Sequence, residues 1–230
     1  MKTIYTYITG TQHTLENKEC QDIVKAFSND ELSAIVLCDG AGSKEYGTKA
    51  ADTVANCTID FIANNFQNFD PVRFVDTINN KLEGLDLNEK NAGTTLMFVA
   101  ANKNKYIAGH LGDGVILKGN KKGFNLLSAP ENGHIVNITY FLPSEHADEH
   151  FRMQSGAIKE QTAFILSSDG ASDFLYDPKN GVGYNACNIF YQWAQEKTKA
   201  ECESNIQEAL QTELAKYTSD DMSIALLITE

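Results

Sequence analysis

Proline, paired cysteine, cationic charge and long apolar runs are all scarce in this chain of 230 residues. Only four prolines occur and no stretch is compositionally biased. Nothing therefore marks a linker, and the length and apolar content predict one domain over residues 1–230 with one sizeable core. The five cysteines (Cys20, Cys38, Cys57, Cys187, Cys202) are odd in number, scattered and without a CxxC pair. That excludes a disulfide framework and a cysteine-built zinc site, and predicts buried thiols in a reducing cytoplasm. Lys and Arg number 19 against 31 Asp and Glu, a net charge of −12. Nucleic acid and anionic membranes repel such a surplus, so neither is expected as a partner. No segment approaches the roughly 20 consecutive apolar residues of a membrane span. The opening MKTIYTYITG alternates like a strand and lacks the apolar core of a signal peptide. Part of the acidic surplus is then available to hold cations inside the fold.

What is present is a legible succession of periodicities. Residues 35–38 (IVLC) form a short continuous apolar run, fit for a strand buried on both faces. Residues 94–101, 105–110, 115–118 and 124–128 follow one another at hairpin spacing, and 163–167 and 223–229 are two more apolar strands. Two helices lie between the first strands and the hairpins. Ala50, Val54, Phe61 and Ile62 share one face of the first. The second has Asp70 as cap, Pro71 at the first helical position, and a stripe of Phe74, Val75, Ile78 and Leu82. Of two further helices, one is expected to bury Ile189, Phe190 and Trp193, the other Ile206, Leu210 and Leu214. The latter, over 199–216, carries Glu201, Glu203, Glu208 and Glu213 on a solvated outer face. Residues 129–160 are expected as a loop or flap. Strands in hairpins with helices in separate pairs predict an α+β fold with antiparallel sheets.

The informative feature is the position of the aspartates. Asp39, Asp113 and Asp169 each follow an apolar strand and precede a glycine, and Asp220 and Asp221 stand at the mouth of the last strand. Carboxylates converging at one sheet edge cannot all ionise without cations, because like charges raise each other's pKa. Oxygen ligands without a His or Cys set favour Mg²⁺ or Mn²⁺ over zinc. Gly40, lacking a Cβ, can bring a backbone carbonyl close to such an ion. The plainer reading of each Asp-Gly is a hairpin turn, and Asp113-Gly114 between two strands fits that role too. The triplet His134, His146 and His150 has no zinc-like spacing. Cys20 and Cys38, flanking the acids, read as packed thiols.

Cys20-Gln21-Asp22, Asp39-Gly40-Ala41-Gly42-Ser43, Gly93-Thr94-Thr95, Gly112-Asp113-Gly114, Ser168-Asp169-Gly170 and Asp220-Asp221-Met222-Ser223 occur in this order. Together with Glu131-Asn132-Gly133 through Asn137 and Thr139-Tyr140-Phe141-Leu142, they resemble the protein phosphatase 2C family, especially its compact bacterial-type branch. The resemblance runs from about Gly10 to Ile228. It implies an αββα sandwich of two antiparallel sheets flanked by helix pairs, with metals at one edge. It implies hydrolysis of phosphoserine and phosphothreonine by a water bridging two Mg²⁺ or Mn²⁺ ions, with a third ion in some relatives. By the same resemblance Asp39 bridges two metals, Gly40 lends its carbonyl, and Asp169 and Asp220 complete the set. Asp22 holds metal-bound water, and Asp113 joins Asp169 at the third position. The partners implied are a phosphorylated protein substrate and a cognate Ser/Thr kinase.

Two departures stand out. Many relatives carry a histidine after the central Asp-Gly, where Ala41 stands here. Many also carry an upstream arginine that grips phosphate, where His13 stands here. His13 is therefore a phosphate ligand, a proton donor to the leaving group, or an ordinary half-buried histidine. In the terminal motif Asp221 replaces asparagine, and the pattern favours Asp220 as ligand. Two rival functions remain open: a 2C-like module that binds without turnover, and a small-molecule phosphohydrolase. The second lacks a GxxxxGK[ST] loop to support it.

Overall fold

The structure, a computed structural model, describes residues 1–131 and 139–230. The first half runs β1 (Lys2–Ile8), α1 (Thr11–Leu15), β2 (Asp22–Ser28), β3 (Ser33–Asp39), α2 (Gly47–Asn65) and α3 (Pro71–Glu83). Four strands follow: β4 (Leu96–Ala101), β5 (Lys105–Leu111), β6 (Val115–Asn120) and β7 (Gly123–Ser128). Next come α4 (Ala147–His150), β8 (Arg152–Ala157), β9 (Ala163–Ser167) and α5 (Asp169–Ser172). The chain closes with β10 (Tyr176–Asp177), β11 (Val182–Gly183), α6 (Asn185–Glu196), α7 (Lys199–Ala209) and β12 (Met222–Ile228). The strands form two antiparallel sheets, ordered β1-β12-β9-β6-β7-β11-β10 and β2-β3-β4-β5-β8. No helix among the described residues is long and apolar enough to cross a membrane.

Period-two burial explains the four layers. On β3, Ile35 and Leu37 face the other sheet, while Ala34, Val36 and Cys38 face α2 and α3. On β12, Ala225 and Leu227 point between the sheets, while Ile224 and Leu226 meet α6 and α7. Both faces of the central strands are therefore dry, which is why their sequences read as continuous apolar runs. The two helix pairs close the outer faces, giving the αββα sandwich that the motif order implies.

Helix starts follow local chemistry. The Asp70 carboxylate accepts the N–H groups of Val72 and Arg73, with Pro71 at the first helical position. Thr198 and Glu201 cap each other's backbone at the start of α7. The helix expected to reach residue 216 instead ends at Ala209 and continues as one π-type turn, Leu210–Leu214.

Several expectations are corrected. Ile189 lies on the outer side of α6 at 38% exposure, and Tyr191 and Ala194 are buried in its place. The strand expected from residue 94 begins at Leu96, because Thr94 makes isolated bridges to Gly40 and Leu142. Residues 129–160 are not all loop, for β8 lies within them and completes the five-stranded sheet, pairing His110 with Arg152 and Lys105 with Ala157. Its sequence RMQSGA sits half-exposed at a sheet edge, so it carries no apolar alternation to announce it. The expectations placed on Asn132 through Asn137, including His134, lie outside the described residues. His146 and His150 pair separately, with Glu149 and Glu131.

Candidate metal centre

Antiparallel pairing decides where the strand ends fall. β3 and β5 run the same way on either side of β4, so their C-terminal ends share an edge with the start of β2. In the other sheet β9 ends where β12 begins. Asp39 closes β3 directly opposite Asp22, Asp113 follows β5, Asp169 follows β9, and Asp220 precedes β12. A cleft of about 290 Å³ gathers Asp39, Gly40, Asp113, Asp169 and Asp220 with His13. A larger groove of about 630 Å³ near Asn29 and Asn65 has no comparable convergence of acids.

Asp113-Gly114 is not a hairpin turn. β5 and β6 belong to different sheets, and Gly112-Asp113-Gly114 carries the chain across between them. Gly112 has φ +114°, and a Cβ there would stand 2.6 Å from Cγ2 of Thr95. The crossing delivers Asp113 to the same cleft as Asp39. Thr139 Oγ1 donates a hydrogen bond to Asp113 Oδ2.

The Gly93-Thr94-Thr95 motif has a mechanical purpose. The Thr94 hydroxyl and the Thr95 N–H both donate to the Asp39 carbonyl at 2.9 Å, and Asp39 N–H donates to Thr95 Oγ1 at 3.0 Å. The backbone of Asp39 is thus clamped at the strand end. Gly40 leaves no room for a side chain, since a Cβ would lie 2.7 Å from the carbonyl carbon of Gly47. Asp22, only 3% exposed, accepts the Ser223 hydroxyl at 2.6 Å.

These acids raise one another. Burial, then Asp22, Asp169, Asp113 and Asp220, pushes Asp39 well above the usual carboxylate range. Burial lifts Asp22 to about 7, opposed by hydrogen bonds from Ser223 and Ser168. Asp169 is open to solvent as a residue, yet its carboxyl turns into the cleft. There burial first, then Asp113 and Asp220, raises it to about 7.

No three His, Cys, Asp or Glu side chains among the described residues close into one ion-holding group. The acids are spread along the cleft walls instead. Such a spread suits an ion that keeps several waters and takes one or two carboxylates, the habit of Mg²⁺. The donor set is oxygen, and no lysine or arginine lines the described cleft to balance it. Asp39, the Gly40 carbonyl, Asp113, Asp169 and Asp220 therefore fit hard divalent cations, while Asp22, opposite Asp39 on β2, is buried behind the cleft and does not line it.

His13 belongs to the short helix α1, not to a strand-to-loop junction, and its side chain is 16% exposed. Its Nδ1 lies 2.9 Å from Oδ2 of Asp221, 208 residues away. Asp220 and Asp221 have different surroundings. Asp220 is exposed in the cleft, and its Oδ1 accepts the Asp221 N–H at 2.9 Å. Asp221 is buried, and its oxygens accept the N–H groups of Gly10 at 2.7 Å and Gln21 at 2.6 Å. The sequence offered Asp221 only as the less favoured alternative to Asp220 as a metal ligand, not as a partner of His13. The available signal was that the chain carries an acid at 221 and a histidine at 13 where the resembled pattern has asparagine and arginine. Ala41 is buried beside Gly93 and brings no polar group.

A family model described as Protein phosphatase 2C matches residues 9–216. Serine/threonine-protein phosphatase 3 of Escherichia coli (strain K12) is 24% identical over 160 residues, which span 63% of this chain and 63% of that relative. Among solved structures, the S. agalactiae serine/threonine phosphatase superimposes with a TM-score of 0.71 at 20% identity, covering 98% of each chain. The catalytic domain of serine threonine protein phosphatase PstP, in complex with two manganese ions, gives 0.67 at 14% identity, covering 100% of this chain and 98% of its own. At these identities the structural likeness speaks for the fold.

Proposed function

This chain belongs to the protein phosphatase 2C family, and we propose that it is a metal-dependent phosphatase of phosphoserine and phosphothreonine proteins. The observation that carries this reading is the gathering of Asp22, Asp39, Asp113, Asp169 and Asp220 at one edge of the sandwich. Among the described lining residues the only basic side chain is that of His13. Such a cleft repels a phosphate dianion unless cations stand between them. Asp39, the Gly40 carbonyl, Asp169 and Asp220 would hold two Mg²⁺ or Mn²⁺ ions, and Asp113 with Asp169 a weaker third. Bound there, the ions supply a nucleophile from water near neutral pH and neutralise phosphoryl charge.

The chain's own groups supply orientation and selectivity. Asp22, fixed by Ser223 and paired with Asp39, would act from behind the cleft by holding a metal-bound water. His13 would present Nε2–H, from a ring carrying both protons, to a phosphoryl oxygen. Ala41 offers no proton to the leaving alkoxide, so that proton comes from His13 or from solvent at the mouth. Five free cysteines accord with a reducing compartment such as the cytoplasm, where a Ser/Thr kinase would generate the substrate.

The test is hydrolysis of phosphothreonine, phosphotyrosine and aryl phosphate substrates. EDTA should abolish turnover, Mn²⁺ or Mg²⁺ should restore it, and Asp39→Asn should be inactive. Undiminished turnover after chelation verified by metal analysis would refute metal dependence. No turnover of any substrate under saturating Mn²⁺ would leave a binding module in place of an enzyme.

A further inference from the structure

One ring nitrogen of His13 is already committed. Oδ2 of Asp221 faces Nδ1 at 2.9 Å and also accepts the Gln21 N–H at 2.6 Å, while Oδ1 accepts the Gly10 N–H at 2.7 Å. With both carboxylate oxygens already accepting backbone N–H groups, the contact is best satisfied when Nδ1 carries the proton and donates it. Two backbone amides from separate segments hold the carboxylate, whose side chain is 4% exposed. Its position is thus set before any ligand arrives. Nε2 lies on the far side of the ring from Asp221. It stands 4.0 Å from where a Cβ on Gly42 would sit, beside the loop that follows Asp39-Gly40 and in the cleft.

We propose that Asp221 is a positioning residue: by accepting Nδ1–H it holds the His13 ring so that Nε2–H, present when the ring carries both protons, donates to a phosphoryl oxygen in the cleft. Asp220 and Asp221, adjacent in sequence, then divide the work, one facing the cations and the other the histidine. The role in turnover rests on the phosphatase reading; the ring orientation does not. A carboxylate that orients a histidine through one nitrogen while the other acts is a recurring arrangement, because a free imidazole otherwise samples both tautomers and ring flips.

Two measurements test it. The first is a ¹⁵N spectrum of the histidine-labelled full chain with Mg²⁺, in which His13 is identified by its loss in His13→Ala. The expected result is a protonated, slowly exchanging Nδ1. An unprotonated Nδ1 in the wild type overturns the proposal without need of substrate or variant at 221. The second is a double-mutant cycle on phosphate recognition, read as KM for an aryl phosphate and inhibition by inorganic phosphate. Asp221→Ala should weaken both roughly ten- to a hundred-fold, the scale of a charge-assisted hydrogen bond, with kcat changed much less. In the His13→Ala background the same substitution should have little further effect. Equal losses in both backgrounds would show that Asp221 merely ties down Gly10 and Gln21, and would overturn the proposal. If Asp221→Ala does not fold, Asp221→Asn takes its place in the cycle, and the wild-type spectrum still decides the orientation. Absence of any turnover in the wild type would refute the phosphatase reading alone.

Discussion

Asp22→Asn should make the metal-free protein more stable relative to wild type as pH rises. The carboxyl is 3% exposed, faces Asp39 across β2 and β3, and has no cationic partner among its described hydrogen bonds. Burial raises its pKa from 3.8 to about 7. The folded state therefore holds this proton more tightly than the unfolded chain does. That stabilisation is complete below about pH 3.8 and is lost as pH rises through about 7. Between about pH 5 and pH 8 the carboxyl alone withdraws about 2–3 kcal/mol. For a domain of this size that amounts to roughly 5–10 °C in Tm. Asparagine keeps an oxygen for the Ser223 hydroxyl but buries an amide N–H₂, at a cost of about 1–3 kcal/mol. That cost does not depend on pH and cancels from the comparison. His110 works with the opposite sign, since burial and Arg152 hold it well below 6.5 and its contribution is lost as pH falls. It is present in both proteins and cancels too, whereas Asp39, raised by Asp22 first among its neighbouring charges, relaxes in the variant and adds to the difference with the same sign. The assay is calorimetric or denaturant unfolding in EDTA at the two pH values. A wild-type-minus-variant difference that stays constant between them would refute the reasoning.

Four further outcomes are expected. Millimolar Mn²⁺ should stabilise the wild type by linkage, by about 2.7 kcal/mol at a hundred times Kd, and so raise its Tm, and Asp39→Asn should lose most of that gain; an unmoved wild-type melting curve would contradict the convergence of the acids. Gly40→Ala, whose Cβ would meet the Gly47 carbonyl carbon at 2.7 Å, should displace the backbone and lower both metal affinity and Tm, whereas wild-type metal titrations would show that the carbonyl position is not critical. His13→Ala should raise KM for aryl phosphate and phosphopeptide together; a loss confined to phosphopeptide kcat, roughly 10²–10⁴-fold, would make His13 a proton donor instead. Under native conditions a thiol reagent should reach half-buried Cys57 first and spare Cys38, whose thiol burial raises well above its usual range; mass mapping of the modified sites checks this.

The parts of this fold legible in sequence were those whose cause is local. Burial on both faces wrote the continuous run of β3, and the Asp70-Pro71 start with its four-residue stripe wrote α3. Capping chemistry and side-chain period act over a few residues, so a single strand of text contains them. The edge strand β8 was not legible, because half-exposed RMQSGA owes its conformation to hydrogen bonds with β5 and not to its own pattern. The spacing of β5 and β6 suggested a hairpin, since spacing measures chain length and not which sheet the next strand joins.

The site divides along the same line. Strand-end aspartates, their glycines and the motif order stood in the sequence, together with the oxygen-only donor set that points to hard cations. Their meeting at one edge came from antiparallel pairing of strands that are far apart along the chain. So did the electrostatics, because the pKa of Asp39 answers to Asp22, Asp169, Asp113 and Asp220 through space. The separate surroundings of Asp220 and Asp221 are likewise tertiary. Two adjacent residues of identical chemistry differ only in what the fold brings to them, solvent for one, Gly10, Gln21 and His13 for the other.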